Sequence, residues 1–381
     1  MSDKKVIFIH IPKAGGNTLH SVLIRHFDRD KYYHIHQYGV SFKENVLKFK
    51  GLPDNVKEKY NYIRGHMGYG LDYDFNNFSV DYITMLREPV SRVVSNYYYI
   101  LNNRRDMAVY DKIKNISLLE YVEKYNINNL QTRLLASNNG LPIDNKTLER
   151  GDLFNAIKNL NNINFIGLIE KFDYSLLLLK EKYGLTNIQY VSKNKTHEKT
   201  KKKEVSEKVK SRIAELNKFD IQLYKLAEEI FNKQLKDYPG NIIEDYELFQ
   251  KNQVLYRNQY IRDYSDKGKE KIDYINELVN NLEGNNVAIY GAGEHTIRLL
   301  EDTDLSNKKI KFIIDSYKRG TDFYGFRVIS PEDIKDYDIK VVILSSFNFQ
   351  EEMYAKLRNK VNYKGKIIKI YNQNDEIPFY A

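Results

Sequence analysis

The chain has 381 residues, 42% of them hydrophobic, a formal net charge of +9 and no cysteine. That length suits two domains, each able to bury a core, and a content of 32 Tyr and 18 Phe excludes a disordered chain. Without Cys, disulfides, thiolate catalysis and Cys-based zinc sites are excluded, and a reducing compartment is the simpler setting.

The apolar stretch Val6 to Ile11 is too short for a signal segment or a membrane helix. No later stretch approaches 18 apolar residues, so a soluble, cytoplasmic protein is the expectation. Val6 to Ile11 reads as a strand. Pro12 and the pair Gly15-Gly16 break it, and Thr18 to Ile24 has helical spacing, with Thr18 suited to cap the helix. Tyr62 to Tyr69 reads as a strand end opening into a loop at Gly65-His66. Tyr82 to Leu86 is a further strand, turning at Arg87-Glu88-Pro89 into a helix from Val90 to Leu101.

Residues 117–136 and 152–160 read as helices, Asn164 to Leu168 as a core strand followed by a helix through Lys182, and about Ser206 to Lys233 as one long helix. Pro239-Gly240 marks a domain boundary. The polar, Tyr-rich stretch 241–284 reads as a helical connector. A second α/β unit follows at 285–381, with strands Val287–Tyr290, Ile310–Ile314, Val341–Leu344 and Ile367–Ile370. The domains expected are 1–240, 241–284 and 285–381.

Much of the positive charge lies from Lys193 to Arg212, with nine Lys/Arg against three Glu. Such a run is either a solvated helix face or a surface for a polyanion, such as nucleotide phosphates or an acidic glycan. No recognition motif accompanies it, so nucleic acid is not the expected partner.

Three constellations carry chemistry. In Ile11-Pro12-Lys13-Ala14-Gly15-Gly16-Asn17-Thr18 a strand feeds a Gly-rich turn at a helix start, where free N–H groups and the helix dipole favour an anion. It is not a Walker loop, because Lys13 precedes the glycines. In Leu86 to Tyr99, Arg87 stands at a strand end and Ser95 about two helical turns on. An Arg fork suits a phosphate dianion, whereas a salt bridge to Glu88 or Asp81 is the plain alternative. In Arg64 to Tyr69, His66 sits where a strand end can present its ring to a cleft. The histidines form no metal-ligand cluster, so no metal is expected.

Together these segments resemble the sulfotransferase superfamily, in particular the branch with heparan sulfate and uronosyl 2-O-sulfotransferases and their bacterial relatives. Asn129 to Leu135, Phe165 to Phe172 and Asn217 to Tyr224 are similar to segments of bacterial members, and the likeness covers about residues 4–235. It implies an α/β fold, a P-loop-like parallel sheet flanked by helices, with a small C-terminal Rossmann-like α/β domain appended.

The resemblance implies 3′-phosphoadenosine 5′-phosphosulfate as donor, with no metal. Lys13 would stabilise the leaving phosphate, and Ala14, Gly15, Gly16, Asn17 and Thr18 would hold the phosphosulfate. Arg87 and Ser95 would bind the 3′-phosphate, and His66 matches the catalytic base. Arg133 is a candidate for the acceptor side, Asn194 and Lys195 for a loop closing over the nucleotide. The acceptor implied is a saccharide or glycan, acidic glycans included, in a bacterial setting; a second copy of the chain stays open as a partner.

In the C-terminal unit, Gly291-Ala292-Gly293 matches the first two glycines of a dinucleotide fingerprint, with Thr296 in the third place. Asp315 stands where an acidic residue can bind a ribose. These residues are candidates for a second nucleotide site or for an idle structural turn. A non-catalytic nucleotide-binding scaffold acting through this unit is therefore the alternative to the enzyme.

Overall fold

In the computed structural model, the first apolar run becomes the centre of a sheet. β1 (Lys5–Ile9) is buried along its whole length. It pairs in parallel with β3 (Tyr62–Gly65) on one side and β4 (Val80–Leu86) on the other. With β2 (Tyr32–Ile35) and β5 (Phe165–Leu168) the order is β2-β3-β1-β4-β5, all parallel. A parallel strand covered on both faces needs a continuous apolar run rather than alternation, which is how Val6 to Ile9 of β1 read, whereas β4 carries Asp81 and Thr84 within its run. The chain leaves β1 toward β2 and β3 and then returns to the opposite flank. The carboxyl end of β1 is thus the switch point at which α/β sheets bind ligands. The residues described are 5–28, 31–35, 41–75, 78–103, 109–144, 146–191, 205–282, 286–307, 310–347 and 349–372.

The apolar spacing from Ser206 to Lys233 predicts one helix, but the structure has two, Glu207–Leu216 and Lys218–Lys236. Asn217 between them is fully buried. Its side chain accepts from the Asn129 N–H at 2.8 Å and donates to the Ile213 carbonyl at 2.9 Å. Asn129 answers by capping the second helix, its Oδ1 accepting from the N–H groups of Phe219 at 3.0 Å and Asp220 at 3.2 Å. The stretch 117–136 divides likewise into Leu118–Lys124 and Leu130–Leu135, with Asn129 left-handed at φ 53° before the second. Asn is one of the few residues that tolerates that conformation.

Two compact units are formed, Met1–Tyr256 and Arg257–Ala381. Helix Ile242–Asn280 covers most of the stretch read as a connector. The second unit is built on β6 (Val287–Tyr290), β7 (Ile310–Ile314), β8 (Asp322–Phe323), β9 (Phe326–Ile329), β10 (Val341–Leu344) and β11 (Lys366–Lys369), in the order β11-β10-β6-β7-β9-β8. All pairings are parallel except β8 with β9. The four strands expected from the sequence are present and the β8–β9 hairpin is additional. Its turn residues Tyr324 and Gly325 both have positive φ, 58° and 82°, the two-residue geometry that matches strand twist. No helix among the described residues is long and apolar enough to cross a membrane.

Candidate functional site

The turn after β1 is held in an unusual backbone shape. Lys13 and Gly15 are left-handed, at φ 68° and 78°, and helix Gly16–Leu23 begins directly after them. A non-Gly residue in that region costs on the order of 1–3 kcal/mol and marks a constrained site. The first-turn N–H groups of the helix have no intrahelical acceptor and point back over the turn. Gly15 is the residue before the helix, so Thr18 lies inside the first turn. The capping role expected of Thr18 is corrected: helix formation starts two residues earlier, because Gly16 lets the backbone settle against His10. A Cβ on Gly16 would collide with the His10 ring.

Two cations meet at this turn. Arg87, just past β4, donates from Nη1 to the Lys13 carbonyl at 2.9 Å, and its Nε is buried with no hydrogen-bond partner. The Lys13 ammonium lies 3.5 Å from the centroid of the Tyr99 ring, a cation–π contact. Burial first, and the Arg87 charge second, push Lys13 down to about 8. Two adjacent cations, one with an orphaned buried N–H, form an arrangement that an incoming anion completes. Ser95 is half-buried on the helix Pro89–Asn103 that follows Arg87.

His66 stands one residue past β3. Its Nδ1–H donates to the His10 carbonyl at 2.6 Å, which leaves Nε2 as the basic nitrogen of the neutral ring. Its ring lies 4.5 Å from that of His10 and 4.7 Å from that of Phe42. Arg64 donates to Nδ1 of His10, from Nη2 at 3.1 Å, and also to Oδ1 of Asn17. It thereby ties the end of β3 to the helix after β1. Burial, with His66 and Arg64 nearby, holds His10 well below the usual histidine range, so it stays neutral.

The sheet therefore brings Lys13, Ala14–Thr18, His66 and Arg87 to one edge, the carboxyl ends of β3, β1 and β4. In the chain His66 lies between Lys13 and Arg87; in the sheet the Lys13 strand lies between the other two. Arg133 is otherwise engaged. Its Nε donates to the Asn128 carbonyl at 2.9 Å, Nη2 to that of Lys146 at 2.8 Å and Nη1 to that of Asp144, so the guanidinium clips a loop together. Asn194 and Lys195 lie outside the described residues. Among the described residues no group of His, Asp and Glu could hold a metal ion.

Sequence reasoning passed over Arg64, His10, Tyr99 and Gln131. Gln131 is fully buried and brackets the Arg87 peptide: the Arg87 N–H donates to its Oε1 at 3.1 Å, and its Nε2 donates to the Arg87 carbonyl at 2.9 Å. The signal that could have found Gln131 is the likeness of the segment Asn129 to Leu135 to bacterial members.

A family model described as "Sulfotransferase family" matches residues 1–227. The chain belongs to the sulfotransferase family. A second model, "C2185-like, N-terminal", matches residues 283–368. Among characterised relatives, the chain is 25% identical over 280 residues to heparan-sulfate 6-O-sulfotransferase 3 of Homo sapiens. It is 26% identical over 274 residues to heparan-sulfate 6-O-sulfotransferase 2 of Danio rerio. Each match takes in 60% of this chain and 58% of the relative, so the chain spans well under two thirds of the relatives' length. These relatives carry 6-O names, where the motif order leads to an expectation of the 2-O branch.

The turn in the second unit has a different environment. Gly291 has φ 122°, and a Cβ there would meet the Ser345 carbonyl oxygen at 2.7 Å. Gly293 is extended, with open space where a Cβ would go. The Asp315 carboxylate accepts from the N–H groups of Ala292 at 3.0 Å, Tyr317 at 2.9 Å and Lys318 at 3.2 Å. The group expected to bind a ribose is thus already engaged with its own turns.

Proposed function

We propose that the protein transfers a sulfuryl group from 3′-phosphoadenosine 5′-phosphosulfate to a hydroxyl of a glycan or glycan precursor. The observation that carries this reading is the convergence of Lys13 and Arg87 on the turn before helix Gly16–Leu23, with Arg87 Nε buried and unpaired. In-line transfer forms a bond from the acceptor oxygen to sulfur and breaks the bond from sulfur to the bridging oxygen of the 5′-phosphate. The acceptor proton goes to Nε2 of His66, and the developing negative charge stays on the departing phosphate. Lys13 stabilises that charge, the turn and helix N–H groups hold the phosphosulfate, and Arg87 with Ser95 takes the 3′-phosphate. Positioning and charge stabilisation carry most of such a reaction.

The test is turnover of radiolabelled donor with a panel of saccharides, alongside calorimetry with 3′-phosphoadenosine 5′-phosphate. His66→Ala is expected to lower kcat by ~10²- to 10⁴-fold and leave nucleotide affinity unchanged. Arg87→Ala is expected to lose nucleotide binding. Wild-type behaviour in both variants would sink the reading.

A further inference from the structure

Two segments singled out in the sequence have so far no part in the chemistry: Asn129 to Leu135 and Asn217 to Tyr224. They lie some 90 residues apart, and the fold interlocks them through buried polar atoms. Asn129 and Asn217 cap each other's segments as described above. Asp220, also fully buried, accepts from the Gln131 N–H at 3.2 Å, the Thr132 N–H at 2.7 Å and the Thr132 hydroxyl at 2.8 Å. This fixes the start of helix Leu130–Leu135 and with it the Gln131 side chain.

Gln131 makes two reciprocal hydrogen bonds with the Arg87 peptide. That side chain acts as a one-residue extension of the sheet, satisfying both backbone groups just where β4 ends. Arg87 in turn reaches the Lys13 carbonyl. The buried Arg92 also belongs here: its charge faces Asp220, and its Nε and Nη2 have no hydrogen-bond partner.

We infer that Gln131 and Asp220 are positioning residues for the donor site, acting through the Arg87 peptide to set Arg87 and the Lys13 turn. Neither side chain is spent on a ligand: Gln131 is neutral and bonds the Arg87 backbone, and the buried Asp220 carboxylate is occupied by the Gln131 and Thr132 donors and faces Arg92. Their effect on a nucleotide is through Arg87 alone. This rests on the donor-site reading above.

The experiment compares Gln131→Met, which keeps length and apolar fit, with Asp220→Asn and with Arg87→Ala. For each, the dissociation constant of 3′-phosphoadenosine 5′-phosphate, the KM for donor and acceptor, the melting temperature and hydrogen exchange at the Arg87 amide are measured. Gln131→Met is expected to weaken nucleotide binding by ~10-fold, the worth of one or two hydrogen bonds. The donor KM should rise in step while the acceptor KM is unchanged, and the Arg87 amide should exchange faster in a folded protein. Asp220→Asn should do the same to a lesser degree. If either variant unfolds, the other carries the comparison, with exchange at Arg87 read at low temperature. A lowered melting temperature with unchanged nucleotide affinity and donor KM would overturn the inference and leave Gln131 merely structural. Unchanged affinity in Arg87→Ala would instead remove the donor-site reading on which it stands.

Discussion

The protein builds the same device twice. In each unit a buried parallel strand inside the sheet runs into a glycine turn and then a helix: β1 with its Lys13 turn, and β6 with its Gly291 turn. In the first unit two cations gather at the turn and a buried guanidinium N–H is left unpaired. In the second, the carboxylate of Asp315 occupies the Ala292 N–H, the Thr296 hydroxyl donates to the Gly291 carbonyl, and Lys318 reaches the Ala292 carbonyl. The same backbone shape thus comes with two different polar settings. What differs is which side chains answer the turn: cations alone at the first, and a carboxylate, a hydroxyl and one cation at the second.

The largest test of that contrast is substitution of the key side chain at each turn. Lys13→Met is expected to lower kcat by ~10²- to 10³-fold, the usual cost of one group that stabilises developing charge. Asp315→Asn should leave transfer unchanged. Equal losses in steady-state assays would erase the distinction drawn between the two turns.

The glycines give the next largest effect. Gly16→Ala drives a methyl into the His10 ring, and overpacking of this kind costs as much as ~3 kcal/mol. Gly293→Ala meets open space on extended backbone and should be neutral. Urea unfolding of both variants measures the difference.

Acid separates the units through their buried histidines. In the second unit His295 is enclosed, with Nδ1 at 2.9 Å from the Ser345 hydroxyl and Nε2 at 2.6 Å from that of Tyr371, and burial pushes it down to about 4. The unfolded chain takes up that proton near the ordinary value of 6.5, so it binds more protons than the folded chain between the two values. Stability is complete above pH 6.5 and falls as pH drops toward 4, by about 2 kcal/mol between pH 7 and 5. Hydrogen exchange at the β6 and β10 amides reads this in the second unit, and His295→Gln should flatten it. His10 gives the first unit a loss of the same sign, read separately at β1.

The smallest effect concerns Lys13 itself. Its ammonium is present below about pH 8 and lost above it, so nucleotide affinity should be full below that point. Above it, affinity should fall up to ~10-fold per pH unit. Calorimetry at pH 7, 8 and 9 follows this, and Lys13→Arg should remove the dependence.

Much of the site was legible because its signals are local. A continuous apolar run, a Pro-Lys-Ala-Gly-Gly turn and an Arg-Glu-Pro corner are each a few residues long, and they mark strand ends without help from the rest of the chain. The break at Asn217 was not legible, because helical apolar spacing continues through it and its cause is Asn129, far away in sequence. The clip made by Arg133 is hidden as well: nothing in Thr132-Arg133-Leu134 shows that the carbonyls of Asn128, Asp144 and Lys146 receive its guanidinium. Gln131 looks like an ordinary helical residue until its partner peptide is seen. The β8–β9 hairpin escaped because strands of two and four residues are too short to show a period.

The sheet order has one more consequence. The carboxyl ends that carry His66, Lys13 and Arg87 belong to consecutive strands, set about 4.8 Å apart by backbone pairing. Lys13 stands in the middle, but the flanks are not independent: the N–H groups of Gly68 and Tyr69, just past His66, donate to the carbonyls of Gly140 at 2.8 Å and Leu134 at 3.0 Å. Exchange of residues 24–61 alone between homologues would break ties to the later chain, among them Arg25 with the Gln189 carbonyl at 2.6 Å and Lys43 with Asp144 at 3.0 Å, so a swap that keeps the fold has to carry both sides of each tie.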